Sequence, residues 1–412
     1  MNTLGERALS WCDELAELTQ TPGLMDRRYL TREHRLANDK VAGWMQEIGL
    51  QTWQDEAGNQ WGRLPAANPE APTVVIGSHL DTVPNGGIYD GILGVVLPLL
   101  VIETLKQDGV TLPFHLDLVG FGDEEGTRFG ATLLGSRAIA GTWDAKWETL
   151  NDANGQSLPE AFETFGLSYN EVSKAARTAT PPIAFLEMHI EQGPVLESED
   201  LPVGIVTAIA GARRFTIELT GMAGHAGTVP MHLRQDALAA AAEITLIVER
   251  VAREHGVVAT VGRMSAQPGA VNVIAGQASF SLDIRSEQDS ERDAALTMIW
   301  DTARVACHER GIQMQWQETH TAPAVSCADH LQLALASAIE AEGIRPRYLV
   351  SGAGHDAMAM AALCPVAMLF MRCEKGISHH PDEAVTAEDV DVTGKVLRGW
   401  IEALAREPAR VG

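Results

Sequence analysis

The stretch FHLDLVGFGDEEGTRFG, residues 114–130, joins an apolar run directly to three adjacent carboxylates. The apolar run is typical of a buried strand, and Asp123, Glu124 and Glu125 follow it at once. Neighbouring carboxylates repel one another, and the repulsion is strongest near buried surface, where little water screens it. We therefore expect a source of positive charge at the end of this strand.

Three more short apolar runs share this strand-like character: TVVIGSH at 73–79, IAFLEMHI at 183–190 and VAMLFMR at 366–372. Helix candidates separate the runs along the chain, among them GVVLPLLVIETLKQ at 94–107. Strands that alternate with helices indicate an α/β fold, in which a mostly parallel sheet is covered by helices on both faces.

The middle of the chain has a different pattern. RRFTIELTGMAG at 213–224 and ASFSLDIRSE at 278–287 alternate apolar and polar residues, as half-exposed strands do. Helical stretches follow each of them, over 236–254 and 291–311. The pattern predicts an α+β domain with an open-faced antiparallel sheet.

The length of 412 residues is too great for one ordinary core and predicts about two domains. We place the α+β domain at 210–325. It is inserted into the α/β domain, which comprises 1–209 and 326–412.

Composition and charge exclude several classes of protein. The formal charge of −24 is unfavourable for binding nucleic acid or anionic membrane, because both require clustered Lys and Arg. The longest apolar stretch, at 92–102, is too short to span a bilayer, and no apolar signal core begins the chain. The five cysteines are odd in number and scattered, so we expect free thiols in a cytoplasmic protein.

Potential metal ligands lie at or just beyond the ends of the predicted parallel strands. The carboxyl ends of parallel strands meet at one edge of a sheet, so residues from distant parts of the chain can converge there. Imidazole and carboxylate groups together suit divalent metals, and a carboxylate can bridge two of them. The candidate ligands are His79, Asp81, Asp90, Glu124, Glu125, His189 and His379.

Six segments of the chain resemble the di-metal aminoacylase and carboxypeptidase superfamily, and more narrowly its amidase, hydantoinase and carbamoylase branch. They are GSHLDTVPNGGIYDG (77–91), GDEEGTRF (122–129), EMHIEQGPVLE (187–197), GMAGHAGTVPMHLRQDA (221–237), SGAGHDA (351–357) and GISHHPDE (376–383). The resemblance covers nearly the whole chain in order. It implies a di-metal exopeptidase-like catalytic domain and an inserted dimerisation and lid domain.

The resemblance also implies a role for each candidate ligand. Asp90 bridges two divalent ions, His79 and His189 complete the ligands of one ion, and Glu125 and His379 complete those of the other. Zinc or manganese is expected, with cobalt and nickel as alternatives.

Three further residues take catalytic roles in the resemblance. Asp81 hydrogen-bonds His79 and fixes its orientation. Glu124 is the general base that deprotonates the attacking water and passes the proton to the leaving nitrogen. His225 reaches across a homodimer interface to stabilise the oxyanion, although a loop histidine with local hydrogen bonds is the alternative.

The resemblance assigns four residues, besides His225, to a small anionic ureido substrate. Asn272 and Arg285 hold its carboxylate, for which a guanidinium group is suited. Gln192 and His355 lie near the ureido group. A surface role for Arg285 and a structural turn at His355 are the alternatives.

The substrate itself is predicted to be allantoate, in purine and ureide catabolism. The Arg372-Cys373 pair resembles that of allantoate amidohydrolases, but Cys373 could simply pack and Arg372 could pair with a neighbouring acid. The alternatives are N-carbamoyl-L-amino acids, beta-ureidopropionate, ureidoglycolate and, in a different class, peptides. Asp123 has no assigned role, and Arg128 could balance its charge.

Overall fold

The computed structural model describes residues 3–406, which form two compact units. The first unit comprises the described residues up to Thr207 together with those from Ser326 onward, and the second comprises Ala208–Val325. We call them the parallel-sheet unit and the antiparallel-sheet unit. The predicted boundaries lay at 209/210 and 325/326.

The described residues form α-helices and β-strands along the whole range. The helices are α1 (Leu4–Ala16), α2 (Arg32–Ile48), α3 (Leu93–Gln107), α4 (Leu134–Ile139), α5 (Leu158–Phe165), α6 (Val195–Ser198), α7 (Ala237–His255), α8 (Asp289–Glu309), α9 (Asp329–Ala341), α10 (Ala357–Met360) and α11 (Ala387–Arg406). The strands are β1 (Gln51–Gln54), β2 (Gln60–Leu64), β3 (Thr73–His79), β4 (His115–Phe121), β5 (Ala184–Ile190), β6 (Val203–Ile209), β7 (Gly211–Thr220), β8 (Gly224–His225), β9 (Val258–Thr260), β10 (Met264–Gln267), β11 (Val273–Ile274), β12 (Gln277–Ser286), β13 (Gln313–Ala322), β14 (Val325–Ser326), β15 (Tyr348–Ser351) and β16 (Val366–Met371).

The main sheet has the strand order β1-β2-β4-β3-β5-β16-β6-β14, with β15 on β6. Its four central strands, β4, β3, β5 and β16, are mutually parallel. They are buried along almost their whole length although successive side chains point to opposite faces, so both faces are covered. The predicted α/β class is confirmed.

Helix α3 contains most of the longest apolar stretch of the sequence. Its residues from Leu93 to Ile102 are all buried, and the helix packs against β3, β4 and β5. Burial in the core therefore accounts for this stretch. Among the described residues, no helix combines the length and apolarity that crossing a membrane requires.

The antiparallel-sheet unit is built on the strand order β10-β12-β7-β13, with β9 on β12. Buried and more exposed residues alternate along β7 and β12, as the sequence pattern predicted for an open-faced sheet. The buried residues of α7 and α8 form one core with this sheet. The predicted α+β class of this segment is confirmed.

Candidate active site

The parallel register brings the candidate ligands to one edge of the main sheet. His79, the last residue of β3, pairs with Phe121, the last residue of β4. The three adjacent carboxylates begin two residues after Phe121. His189 of β5 lies opposite Phe370 of β16, close to the end of both strands. The predicted convergence is therefore present in the structure.

Asp90 lies at the centre of this convergence. Its Oδ1 atom is 3.4 Å from Nε2 of His79 and 3.1 Å from Nε2 of His189. Its Oδ2 atom is 3.2 Å from Nε2 of His379, which lies 3.3 Å from Oε1 of Glu125. Asp90 thus belongs to two groups of potential ligands at once, one on each carboxylate oxygen.

A glycine allows Asp90 to approach the β3 histidine. Gly91 has a φ of +70°, and a Cβ atom at this position would lie 2.3 Å from the ring of His79. Any other residue would suffer both the backbone strain and the clash. The turn after β3 therefore requires glycine next to Asp90.

The spacing of these atoms fits divalent cations. Two atoms that each bind one tetrahedral ion at about 2.1 Å lie about 3.4 Å apart. The contacts of Asp90 and Glu125 with the three histidines measure 3.1, 3.2, 3.3 and 3.4 Å. The cluster could therefore hold metal ions.

Protons compete with a cation for this site. Contacts with Asp90 and Glu125 raise the pKa of His379 to about 10. Burial alone would lower the pKa of His189, but the charge of Asp90 raises it overall. A metal ion has to replace these protons, so we expect its affinity to increase as the pH rises.

Asp81 contacts His79 and the acidic turn through different atoms. Nδ1 of His79 lies 2.9 Å from the Asp81 backbone carbonyl oxygen but 3.6 Å from its carboxylate. The Asp81 carboxylate accepts hydrogen bonds from the backbone N–H groups of Glu124, at 3.0 Å, and Glu125, at 3.2 Å. The contact between Asp81 and His79 is therefore made by the backbone of Asp81, and its carboxylate binds the acidic turn. Asp81 therefore orients His79 and fixes the acidic turn.

Glu124 is buried next to the ligand groups. With His79 and Glu125 it forms a third group of potential ligand atoms within 4.8 Å of one another. Burial and the charge of Glu125 raise the pKa of Glu124 well above its ordinary value. A carboxylate with a raised pKa accepts a proton readily, as the predicted general base must do.

Asp123 has an unusual conformation and environment. Its φ is +62°, and its completely buried carboxylate has no hydrogen-bond partner among the described residues. Arg128, expected to balance it, donates hydrogen bonds to Asp152 at 3.1 Å and to the carbonyls of Tyr29 and Leu30. Arg128 therefore acts on Asp123 only through its charge.

Gln192 and His355 both lie beside the ligands. Nε2 of Gln192 donates to Oδ2 of Asp90 at 2.8 Å and to Oγ of Ser378 at 3.1 Å. The ring of His355 lies 4.5 Å from that of His189. Oε1 of Gln192 and Nδ1 of His355 are buried and have no partner among the described residues. Such atoms are expected to bond to water or to a ligand.

Two residues at the site were not singled out from the sequence. Oγ of Ser378 lies 2.6 Å from Oδ2 of Asp90, and Glu383 accepts hydrogen bonds from the backbone N–H groups of Tyr89 and Asp90. Both belong to the GISHHPDE segment, which also contains His379. Their residue types are equally common in surface turns, so the sequence contained no signal for this contact.

His225 and Asn272 lie together in the antiparallel-sheet unit. Strand β8, which ends in His225, pairs with β11, and Ala226 N–H donates to the carbonyl of Asn272 at 2.9 Å. Both residues are exposed, and Nδ1 of His225 accepts a local hydrogen bond from Gly227. Their roles at a substrate remain predictions.

Arg285 lies in the same unit and forms two hydrogen bonds with Asp283, at 2.7 and 2.8 Å. Asp283 also pairs with Arg214 at 2.8 Å, and Arg213 pairs with Glu318 at 2.7 Å. Arg213 and Arg214 are thus paired with acids, whereas binding of a substrate carboxylate by Arg285 remains a prediction.

Two residues just before α7 have structural roles. Arg234 donates hydrogen bonds to the backbone carbonyls of Val229 and Ala226. Asp236 caps α7, because its Oδ1 atom accepts the N–H groups of Leu238 and Ala239 in the first turn.

The Arg372-Cys373 pair is occupied by the protein itself. Arg372 donates to Asp389 at 2.7 and 2.9 Å and to Asp200 at 2.9 Å. Cys373 is completely buried. The pair therefore offers no group to a substrate. Its resemblance to the pair of allantoate amidohydrolases does not correspond to a substrate contact in this structure.

A parallel sheet with two linked groups of potential metal ligands at its strand ends is an arrangement that suits metal-assisted hydrolysis. The family model described as peptidase family M20/M25/M40 matches residues 75–403. The chain belongs to this family and is a hydrolase. The resemblance identified from its sequence is confirmed.

Relatives that match nearly the whole chain have more specific names. The chain is 41% identical over 404 residues to an N-carbamoyl-L-amino acid amidohydrolase of Geobacillus stearothermophilus, covering 98% of this chain and 99% of the relative. It is 36% identical to a probable allantoate deiminase of Oryza sativa subsp. japonica, covering 96% and 88%. A crystal structure of a hydantoinase/carbamoylase family amidase from Burkholderia multivorans matches with a TM-score of 0.92 and 32% identity, covering 97% and 98%.

Proposed function

We propose that this chain hydrolyses the C–N bond of a ureido group, with allantoate as the first candidate substrate. The observation that carries the reaction type is the Asp90-centred pair of ligand groups with Glu124 beside it. The similarity of the whole chain to hydrolases of carbamoyl amino acids and of allantoate supports the same bond. Hydrolysis of allantoate yields ureidoglycine, ammonia and carbon dioxide.

N-carbamoyl-L-amino acids are the second candidate. The 41% identity to the Geobacillus enzyme supports them, as the 36% identity to the Oryza allantoate deiminase supports allantoate. In both candidates the ureido nitrogen is attached to a carbon that carries a carboxylate. A site that binds allantoate therefore needs the same kinds of polar groups as a site that binds an N-carbamoyl-L-amino acid.

In the proposed reaction the protein binds two divalent ions per subunit, zinc or manganese, with cobalt and nickel as alternatives. Ions held by these ligands polarise a carbonyl group and make water more acidic. Glu124 takes the proton of the attacking water and delivers it to the leaving nitrogen. Asp81 holds the backbone of Glu124 in place during both transfers. Gln192 and His355 contribute their unpaired polar atoms to the ureido group.

The antiparallel-sheet unit is proposed to complete the site. Arg285 and Asn272 bind the substrate carboxylate. His225 of one subunit stabilises the oxyanion in the site of the other subunit of a homodimer.

The five cysteines are free and buried, which supports a cytoplasmic location.

The substrate is tested by one comparison. Metal-loaded protein is given allantoate, N-carbamoyl-L-amino acids and dipeptides, and the release of ammonia or of free amine is measured. We expect ammonia from the ureido compounds, with the highest kcat/KM for allantoate. A higher kcat/KM for carbamoyl amino acids would select the second candidate, and no ammonia from any ureido compound would contradict the reaction type.

The shared site is tested by mixing two inactive variants, Glu124→Gln and His225→Ala. If His225 acts across the interface, each mixed dimer contains one intact site. A random one-to-one mixture should then recover about a quarter of wild-type activity. If His225 acts within its own subunit, every site of the mixed dimer carries a substitution, and the mixture stays inactive.

A further inference from the structure

Glu383 is buried at the end of the GISHHPDE segment, and its carboxylate faces the turn that carries Asp90. Only 5% of Glu383 is exposed. Its Oε1 atom accepts the backbone N–H of Tyr89 at 2.9 Å and that of Asp90 at 3.1 Å. One oxygen atom thus holds the two successive peptide groups that set the position of Asp90.

The turn passes directly over this carboxylate. A Cβ atom at Gly87 would lie 2.2 Å from Cδ and from Oε1 of Glu383. The close approach is therefore open only to glycine. Gly87 thus leaves room for the carboxylate that accepts the N–H groups of Tyr89 and Asp90.

Ser378 contacts the side chain of the same aspartate. Its Oγ atom lies 2.6 Å from Oδ2 of Asp90 and 3.2 Å from Oε2 of Glu383. A hydroxyl group has one hydrogen to donate, and the shorter distance assigns it to Asp90. Ser378 also accepts a hydrogen bond from Gln192 at 3.1 Å and directly precedes the ligand His379.

We propose that Glu383 and Ser378 are positioning residues that fix Asp90 so that its two oxygens serve both ligand groups at once. One oxygen of Asp90 faces the histidines of β3 and β5, and the other faces His379. Rotation of this carboxylate would break one of the two groups. Residues that orient metal ligands typically contribute 10–100-fold to metal affinity.

The inference depends on the metal site and not on the ureido substrate proposed above. It is therefore tested by metal binding, and a failure of the ureido assay would leave it unaffected. The competing explanation is that Glu383 only stabilises the fold. In that case its loss lowers the melting temperature without changing the affinity for metal.

The decisive variants are Glu383→Ala and Glu383→Gln, titrated with Mn²⁺ as metal-free proteins in a calorimeter. Glu383→Ala should raise the Kd for Mn²⁺ by about 10–100-fold. Glu383→Gln should stay close to wild type, because its amide oxygen can accept the same two N–H groups and its amide nitrogen can donate to Ser378. Hydrogen exchange of peptide 87–92 in the metal-free protein should be faster only in Glu383→Ala.

Glu191 provides a matched control. It is also buried, at 9% exposure, and also accepts two backbone N–H groups, those of Val195 and Leu196. Neither hydrogen bond reaches a ligand residue, so Glu191→Ala should lower the melting temperature but leave the Kd for Mn²⁺ unchanged.

The outcomes separate the two explanations. A wild-type Kd in Glu383→Ala, an equal loss of affinity in Glu383→Gln, or a wild-type protein that binds no Mn²⁺ would each overturn the proposal. If Glu383→Ala does not fold, Ser378→Ala replaces it. That variant should weaken Mn²⁺ binding by about tenfold while Gly87 and Glu383 keep the turn in place.

Discussion

The two units of this chain differ in the burial and in the partners of their charged side chains. In the antiparallel-sheet unit, several partly exposed charged side chains are paired, as in Arg213 with Glu318 and Arg310 with Glu243. At the strand ends of the parallel-sheet unit, the buried acids Asp90 and Glu124 face histidines and further acids. The acids of the first group are partly exposed and paired with arginine, whereas those of the second group are buried and have other acids as neighbours.

A buried acid elsewhere in the parallel-sheet unit, Asp117, does have arginine partners. The lack of such partners is therefore a property of the strand-end site and not of the whole unit. Asp117, in the middle of β4, is completely buried, and it is held by Arg63 at 2.6 Å and Arg177 at 2.8 Å. Burial of a carboxylate is costly unless an opposite charge compensates it. The acids at the strand ends lack such arginine partners in the contacts of the described residues, so cations are the compensation that we expect.

The largest effect is expected for Glu124→Gln. The amide cannot take a proton from water, so kcat should fall by about 10²–10⁴-fold. Metal content and the Kd for Mn²⁺ should change little, because Glu124 is not in the two groups that share Asp90. Steady-state kinetics and elemental analysis measure both quantities, and normal turnover would refute the assignment of the base.

Metal binding should stabilise only one of the two units. At an ion concentration 100 times the Kd, the free energy of unfolding should increase by about 2.7 kcal/mol. Hydrogen exchange should slow at the ends of β3, β4 and β5 and not in β7 and β12. The gain should shrink as the pH falls, because protonated His379 and His189 no longer bind metal.

The matched control for this experiment is Asp90→Asn, which keeps the shape of the side chain and removes the charge that both ligand groups share. We expect the stabilisation by Mn²⁺ to be lost in this variant. Equal stabilisation of wild type and Asp90→Asn would show that the ions bind elsewhere, and the contrast between the units would then have another cause.

A smaller effect is expected for Arg285→Lys, compared with Arg214→Lys. Both arginines pair with Asp283, but only Arg285 is proposed to bind the substrate carboxylate. Loss of the planar guanidinium should raise KM for allantoate by about 10–100-fold in Arg285→Lys. Arg214→Lys should leave KM near the wild-type value, and equal KM values in the two variants would remove Arg285 from the substrate site.

The smallest effect is expected for Arg304→Ala. Its pair with Asp301 measures 2.9 Å, and both side chains are more than half exposed. Exposed pairs contribute about 0–1 kcal/mol, so the midpoint of urea unfolding should hardly change. Arg63→Ala, which removes one of the two arginine partners of the buried Asp117, should lower the free energy of unfolding more. An equal decrease in the two variants would contradict the difference between exposed and buried pairs.

The elements with strong periodicity were predicted closely. The run at 73–79 is β3, with the same bounds, and the helix predicted over 236–254 is α7, Ala237–His255. These elements are specified locally, by continuous apolar runs in strands and by helical spacing with an Asp236 cap. The candidate ligands could be predicted because parallel strands deliver their carboxyl ends to one edge.

The supporting contacts could not be predicted. Glu383 and Asp90 are 293 positions apart, and Gln192 and Asp90 are 102 positions apart. The carboxylate of Asp81 turned out to bind the acidic turn, because the backbone there offers two N–H groups that no sequence pattern displays. Side-chain direction at this scale depends on the packing of several elements at once.

The residue order alone therefore determined the class of fold, the set of potential ligands and the crowding of acids at 123–125, because these depend on local pattern and strand direction. Only the tertiary structure decided which residues form the two ligand groups that share Asp90 and that Glu383 holds the turn. It also decided that the Asp123 carboxylate has no hydrogen-bond partner among the described residues. The reason is distance: a hydrogen bond requires atoms within about 3 Å, and only the packed fold brings distant segments to that range.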